Sequence, residues 1–397
     1  MRSVLIYSDR FQDYDYGGGH PLKMVRLRLT YELLKSYEIF GKNNVRLVEP
    51  VSASREEVRL IHTEEYISAL EKVEKEQAEA QRRLRLRLRF SKDSNLDLNL
   101  NLNLLHGLGW GDNPVFKGVY EGSLLGVGGS IMAARMVETG EVDVAFNIAG
   151  GLHHAMPDKA SGFCYLNDPA IAIRDLTSRG KRVVYIDIDA HHGDGVQHAF
   201  YDTDQVLTIS LHESGRFLFP GTGDVAETGK GKGKGYSVNL PFLPGTDDHL
   251  FVWGFEHVVP PLIKVFKPDF LVSQLGVDTV ASDPLTHLEL TTNGFTRMIE
   301  LMKGWSVPWV ALGGGGYDIL NVARCWSLAF AIMAGVDLPD KLPDEFIASL
   351  GKLGLSAKAL RDPVKDSRKE KDGRRAFVEE GVKYIKEHIF PIHGIKD

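Results

Sequence analysis

The sequence predicts a doubly wound α/β fold, a parallel sheet covered by helices on both faces. Three observations predict it. Six short apolar runs recur along the chain, rich in β-branched residues: "SVLIYS", "VDVAFNIAG", "RVVYIDID", "QVLTISLH", "FLVSQLGVD" and "VPWVALGGGG". Their hydrophobicity is continuous rather than alternating, the pattern of strands buried on both faces, and helix-compatible segments lie between them. Nearly every run also ends in reactive residues, and open parallel sheets bind ligands outside the carboxyl ends of their strands.

In chain order, Ser3–Ser8 is the first strand. The segment Glu71–Gly107 begins as a charged helix and becomes a Leu-Arg and Leu-Asn alternation. Period two permits an amphipathic strand, and a repeat this simple also suits an insert. Its Arg82, Arg83, Arg85, Arg87 and Arg89 offer a basic docking patch or, more plainly, a solvated or oligomer-forming face. Strand 142–150 leads to His153 and His154. "NDPAIAIRDLTSRG" reads as a helix with an Asn or Asp cap and a closing Gly. Strand 182–189 leads to His191, strand 205–212 ends on His212, and strand 270–278 ends on Asp278. "TTNGFTRMIELMKGW" reads as a helix, and strand 307–316 leads to Tyr317. The tail "RDPVKDSRKEKDGRR" is a mixed charge run, read as an exposed linker before a last helix.

Composition narrows the function classes. The 397 residues are 43% hydrophobic and 25% charged, with a net charge of −6, and give no basic face for nucleic acid. No apolar run is long enough to span a bilayer, and the N-terminus is too polar for a signal peptide, so a cytoplasmic protein is expected. Cys164 and Cys325 make neither a disulfide framework nor a Cys-rich metal site.

The chemistry concentrates in "RVVYIDIDAHHGDGVQ", which packs Asp187, Asp189, His191, His192 and Asp194 into eight residues. Buried charges need a partner, a proton or a metal, and no Lys or Arg follows Arg182 in this stretch. Alternate residues of an extended chain share a face, so Asp189 and His191 reach one cation and Asp278 supplies a third ligand. Two carboxylates and an imidazole leave an open position, as in a catalytic zinc site; the same donors admit Fe(II), Co(II) or Mn(II). His153 and His154 stand ready to take a proton from metal-bound water, and Asp187 and Asp194 are the carboxylates left to orient them. "GGGGYD" lacks the spacing of a phosphate loop; its glycines let the backbone approach and place the Tyr317 hydroxyl on a substrate carbonyl. Phe163, Phe217 and Phe219 are candidates for the walls of a narrow slot. A binuclear ureohydrolase is disfavoured because Val280 stands where a second bridging acid is wanted, and a silent acyl-lysine reader is disfavoured because every reactive residue type is present.

"GGLHHAMPDKASGFCYLND", "VVYIDIDAHHGDGVQHAFYDTDQVLTISLH", "FPGTGD", "GKGKGYSVNLP" and "LGGGGYDILNVARCW" closely resemble the zinc-dependent histone deacetylase family, and "YGGGHPLKMVRLRLTYELL" and "IHTEEYISAL" are similar to its N-terminal part. The family includes acetoin-utilisation proteins and acetylpolyamine amidohydrolases. The resemblance implies an arginase-like fold with an eight-stranded parallel sheet. It implies one deacetylase domain over 1–397, with a core of about 1–335 and a charged extension at 336–397; the insert at 71–107 departs from the family and is a place where rim geometry or oligomerisation could differ. It implies removal of acetyl groups from lysine in proteins, or from acetylpolyamines and other small amides. It further implies zinc on Asp189, His191 and Asp278; His154 as general base paired with Asp194; His153 paired with Asp187; and Tyr317 on the carbonyl. Gly162, Phe163 and Phe219 would line the acyl-lysine tunnel, with Leu285 at its rim, Asp112 gripping the substrate backbone and Arg26 in an acetate channel. One potassium ion would lie near Asp187, Asp189, His191, Ser210 and Leu211, and a second near Phe200, Thr203, Val206 and Tyr236. Leu285, where polyamine-selective relatives carry an acid, favours an acyl-lysine substrate.

Overall fold

The computed structural model describes residues 1–87, 105–109, 111–364 and 373–396. Eight strands form one sheet: β1 (Ser3–Ile6), β2 (Val45–Val48), β3 (Val144–Asn147), β4 (Val183–Asp187), β5 (Val206–Glu213), β6 (Ser237–Phe242), β7 (Phe270–Gln274) and β8 (Trp309–Leu312). Their order is β2-β1-β3-β8-β7-β4-β5-β6, and every pairing is parallel. All carboxyl ends therefore open on one edge, and β3, β8, β7 and β4 are neighbours there.

Side chains alternate between two helical layers. Leu5, Phe146, Ile186, Leu207 and Leu271 point to one face, against α1 (Val25–Ser36), α7 (Asp248–Phe266), α8 (Thr292–Gly304) and α9 (Ile319–Ala334). Val4, Ala145, Tyr185, Val272 and Val310 point to the other, against α4 (Val119–Glu138), α5 (Asp168–Ser178) and α6 (Asp194–Phe200). The helices stop and start as the sequence dictates. The Asn167 side chain accepts from Ala170 N at the head of α5, and Thr291 accepts from Asn293 N at the head of α8. A third cluster joins α2 (Arg55–Val58) and α3 (Glu64–Arg87) to α4 and α5, through Val58, Tyr66, Leu70, Ile131 and Ile171.

The apolar runs missed β2 and β6, the two edge strands. Polar residues and proline interrupt both: β2 carries exposed Arg46, and β6, though buried throughout, carries Asn239 and Pro241. The strand permitted by the Leu-Arg alternation is corrected, since Leu84–Arg87 continue α3. Leu and Arg are good helix formers on a helix already propagating. Arg89, the Leu-Asn repeat and any oligomer contact through it lie outside the described residues.

The tail differs from an exposed linker at its start. Asp362 takes a 2.6 Å bond from Arg324 of α9 and accepts from Thr292 N at the head of α8. The last helix is α11 (Arg374–His388), and its Val378, Val382 and Ile385 join the main core. So do Phe346 and Leu350 of α10 (Asp344–Lys352). Among the described residues no helix is long and apolar enough to cross a membrane.

Candidate active site

Beyond β4 and β7 the chain brings three donors to one point. His191 Nδ1 lies 3.0 Å from Asp189 Oδ1 and 3.0 Å from Asp278 Oδ2. All three donor atoms lie within 4.8 Å of one another, and the residues are buried. The outward oxygens are already committed. Asp189 Oδ2 accepts from Gln274 Nε2 (2.6 Å) and Gly315 N (2.8 Å), and Asp278 Oδ1 accepts from Ala190 N (2.8 Å). Such outer bonds orient ligands toward a common centre. Two glycines keep the space clear: a Cβ at Gly276 would come within 2.2 Å of Asp189 Oδ2, and one at Gly315 within 2.1 Å of Asp278 Oδ2. The donor set, two carboxylate oxygens and an imidazole nitrogen, fits a divalent cation. Burial, then the Asp189 charge, pushes Asp278 up to about 7. Burial opposes a charge on His191, but the two carboxylates raise it well above the usual histidine range.

The histidine pair follows β3. His153 Nδ1 is 2.7 Å from Asp187 Oδ2, His154 Nδ1 is 2.7 Å from Asp194 Oδ1, and the two Nε2 atoms are 3.0 Å apart. Burial works against charge on both rings. At His153 the charges of Asp187 and Asp189 overcome it and raise the ring to about 9. At His154 burial and the neighbouring His153 lower it to about 4. The pair divides into a cation and a neutral base.

Around this centre the chain builds aromatic walls. Phe163, in the left-handed region at φ +68°, sets its ring 5.7 Å from Tyr317, edge to face. Phe219 sits 5.0 Å from the His154 ring. A Cβ at Gly162 would come within 2.6 Å of His154 and 2.8 Å of Phe219, so only glycine lets the rings close. The Tyr317 ring stands perpendicular to His191 at 6.4 Å; burial, with Asp278 and Asp189 adding, holds its hydroxyl protonated. Phe217 and Phe219 are both exposed, and Phe219 turns its ring to His154 and His191. Asp112 is exposed, with its carbonyl 3.2 Å from Nε2 of His20, whose ring meets Phe163 edge-on at 4.5 Å. Leu285 is partly buried on the loop after Asp278. Arg26 is buried, donating from Nη1 to the carbonyls of Gly314 (2.7 Å) and Gly316 (3.1 Å).

Ser210 pairs in register with Asp187, and Leu211 follows it on β5. Phe200, Thr203, Val206 and Tyr236 lie at the opposite, amino edge of β5, where Thr203 N donates to Phe200 O and Thr208 N to Tyr236 O. His212 is a correction. It does not reach the site, because β5 continues to Glu213; its ring is buried against Ser210 Oγ (2.8 Å) and Gly223 O (3.0 Å). Four strand ends converge, not five.

Sequence reasoning missed Gln274, whose Nε2 bridges Asp189 to Gly151 O, and Asp168, which accepts from Gly151 N and Leu152 N below the histidine pair. Tyr185, which donates to Asp187 Oδ2, was also missed. Gln274 left a signal, a lone amide inside an apolar strand run, since a buried polar side chain needs a partner. Asp168 was absorbed by its reading as a helix cap.

The histone deacetylase domain matches residues 20–333. Histone deacetylase 1 of Homo sapiens is 37% identical over 381 residues, 95% of this chain and 74% of its own length. The acetoin utilization protein AcuC of Bacillus subtilis is 40% identical over 362 residues, 88% of this chain and 87% of its own length. A crystal structure of an HDAC homolog from Aquifex aeolicus matches with a TM-score of 0.84 at 32% identity, covering 96% of this chain and 100% of that one. One of an HDAC homolog complexed with SAHA matches at 0.85 and 32%, covering 97% and 100%. With the fold, the triad of donors and the paired histidines in place, these likenesses put the chain in the histone deacetylase family.

Proposed function

We propose that this deacetylase acts on Nε-acetyl-lysine in proteins, with zinc held by Asp189, His191 and Asp278. The observation that carries the reading is the His191 imidazole placed 3.0 Å from both carboxylates, beside two histidines that each bond their own aspartate at 2.7 Å. Zinc, or Fe2+ or Co2+ on the same donors, supplies Lewis acidity and lowers the pKa of the attacking water to about 7. His154, neutral and oriented by Asp194, takes the proton of that water. Tyr317, kept protonated, donates to the carbonyl oxygen as negative charge develops there. His153, charged and oriented by Asp187, donates toward the departing amine. Gly162, Phe163 and Phe219 exclude water along the acyl-lysine stem, while Leu285 and Asp112 meet the polypeptide at the rim. Arg26 faces the channel for acetate. Potassium beside Asp187, Asp189 and His191 belongs to the same reading, supported by Ser210 and Leu211 running alongside on β5, with a second ion near Phe200, Thr203, Val206 and Tyr236.

One preparation tests this: metal analysis and a panel of an acetyl-lysine peptide against acetylspermidine. The expected result is one zinc-type ion per chain and kcat/KM at least about tenfold higher on the peptide. The reverse preference assigns a small-amine substrate, and no acetate from either probe overturns the reading.

A further inference from the structure

The arm that carries Tyr317 is a run of four glycines, Gly313–Gly316, with Gly314 and Gly316 at φ +135° and +127°. Such a run lets the backbone pass the carboxylates of Asp189 and Asp278, but it offers no side chains to fix the tyrosine at its end. The arm is instead held by others. Arg26 binds the carbonyls of Gly314 and Gly316 from within. On the other side, Asp283 Oδ2 accepts from Tyr317 N at 2.8 Å, and its Oδ1 accepts from Leu285 N at 2.9 Å. The same loop holds Ser282 at φ +78°, an uncommon conformation for a residue with a side chain, and Ser282 Oγ donates to Asp318 Oδ2 at 2.9 Å. Thr286 Oγ1 closes the loop back on the Asp278 carbonyl.

One carboxylate therefore holds two different parts of the site, the tunnel rim and the residue that reaches the substrate carbonyl. We propose that Asp283 is a positioning residue: anchored by its own bond to the Leu285 amide, it fixes the Tyr317 main chain so that the hydroxyl meets the carbonyl. The inference rests on the deacetylase reading of the site and adds to it a residue that touches no substrate. An asparagine keeps one acceptor and turns an NH2 group toward the second amide, so one of the two N–H groups loses its partner.

The test is a double-mutant cycle on the zinc-loaded full chain, read by kcat on an acetyl-lysine peptide and by the Kd of a hydroxamic acid in calorimetry. With Tyr317 present, Asp283→Asn is expected to lower kcat about tenfold and weaken the hydroxamate by a similar factor, because small misplacements near the reacting atoms cost heavily. In the Tyr317→Phe background it is expected to change either value by less than about twofold, since the hydroxyl it serves is gone. Ser282→Ala, which removes the bonds to Asp318 and Asn321 but leaves both Asp283 bonds in place, is expected to leave both values within about twofold. Where Asp283→Asn does not fold, Asp283→Ser, which keeps one acceptor, runs the same cycle. Equal losses in both backgrounds, or no loss with Tyr317 present, overturn the inference alone. A wild-type chain that binds zinc but neither releases acetate nor binds the hydroxamate overturns the deacetylase reading and this inference with it.

Discussion

Two buried polar clusters in this molecule use the same residue types to opposite ends. Beyond β4 and β7, two carboxylates converge on one imidazole and two more orient a histidine pair. Beside β5 and β6, His192 is 2.8 Å from Thr222 Oγ1 and 3.2 Å from Gln197 Oε1, and His212 contacts Ser210 Oγ and Gly223 O. Gln197 Oε1 also gathers Ser237 Oγ and Asn239 Nδ2, while Glu227 takes Gln197 Nε2 and the amides of Gly223 and Asp224. Burial lowers His192 and His212, which stay neutral. Burial also opposes charge on His153 and His191, yet carboxylates outweigh it there. The second cluster is a network of neutral imidazoles, hydroxyls and amides closed on the Glu227 carboxylate. The first holds more negative charge than its own protons balance, and only that imbalance calls for a cation.

The contrast can be broken at three points. The largest effect belongs to Asp278→Asn, which removes one convergent carboxylate. Metal content is expected to fall below one ion per ten chains and kcat/KM on the order of 10³-fold. A variant that keeps its metal and its activity would erase the difference between the clusters.

The next effect is on His62, a third buried and neutral histidine, whose Nε2 accepts from Asn167 N at 2.9 Å. Burial lowers it to about 4. Its unfolded value is near 6.5, so between these limits the unfolded chain binds the extra proton and stability falls as pH drops. The loss between pH 6.5 and 5 is about 2 kcal/mol. His62→Gln keeps an acceptor for Asn167 and cannot titrate. Urea unfolding of both proteins at several pH values is expected to show their stability difference shrinking, then reversing in favour of the variant, toward pH 5. Parallel pH profiles would show that His62 is not held neutral. The smallest effect is on His192→Gln, expected to cost about 1 kcal/mol in stability with metal content unchanged and kcat within about threefold. Loss of metal in that variant would join the two clusters into one site.

The donors at the strand ends were legible because a crowd of acids with no base nearby has few physical solutions. Asp187 and Asp194 followed by subtraction, once Asp189, His191 and Asp278 were assigned to a cation. His212 was misplaced because a strand's last residue depends on its neighbour: β6 pairs with β5 as far as Glu213 and keeps His212 inside the sheet. β2 and β6 were invisible because Arg46 interrupts the first and Asn239 and Pro241 the second, although Val238, Leu240 and Phe242 of β6 lie in the main core. Gln274 left a faint signal that was passed over, and Asp168 and Asp283 left none that named a partner. Each acts at least in part on main-chain atoms of a distant segment, and amides carry no residue code.

The Arg324–Asp362 bond bears on how the chain is handled at the bench. Arg324 is buried on α9, directly after the Tyr317 arm, and its guanidinium is held by Asp362 and the Leu360 carbonyl. A fragment trimmed to the matched family region would leave Arg324 only its Asn321 bond and would strip Phe346, Leu350, Val378, Val382 and Ile385 from the main core. Expression clones meant to isolate the hydrolase should therefore run past Asp362, because the natural place to cut by homology is a poor place to cut by physics.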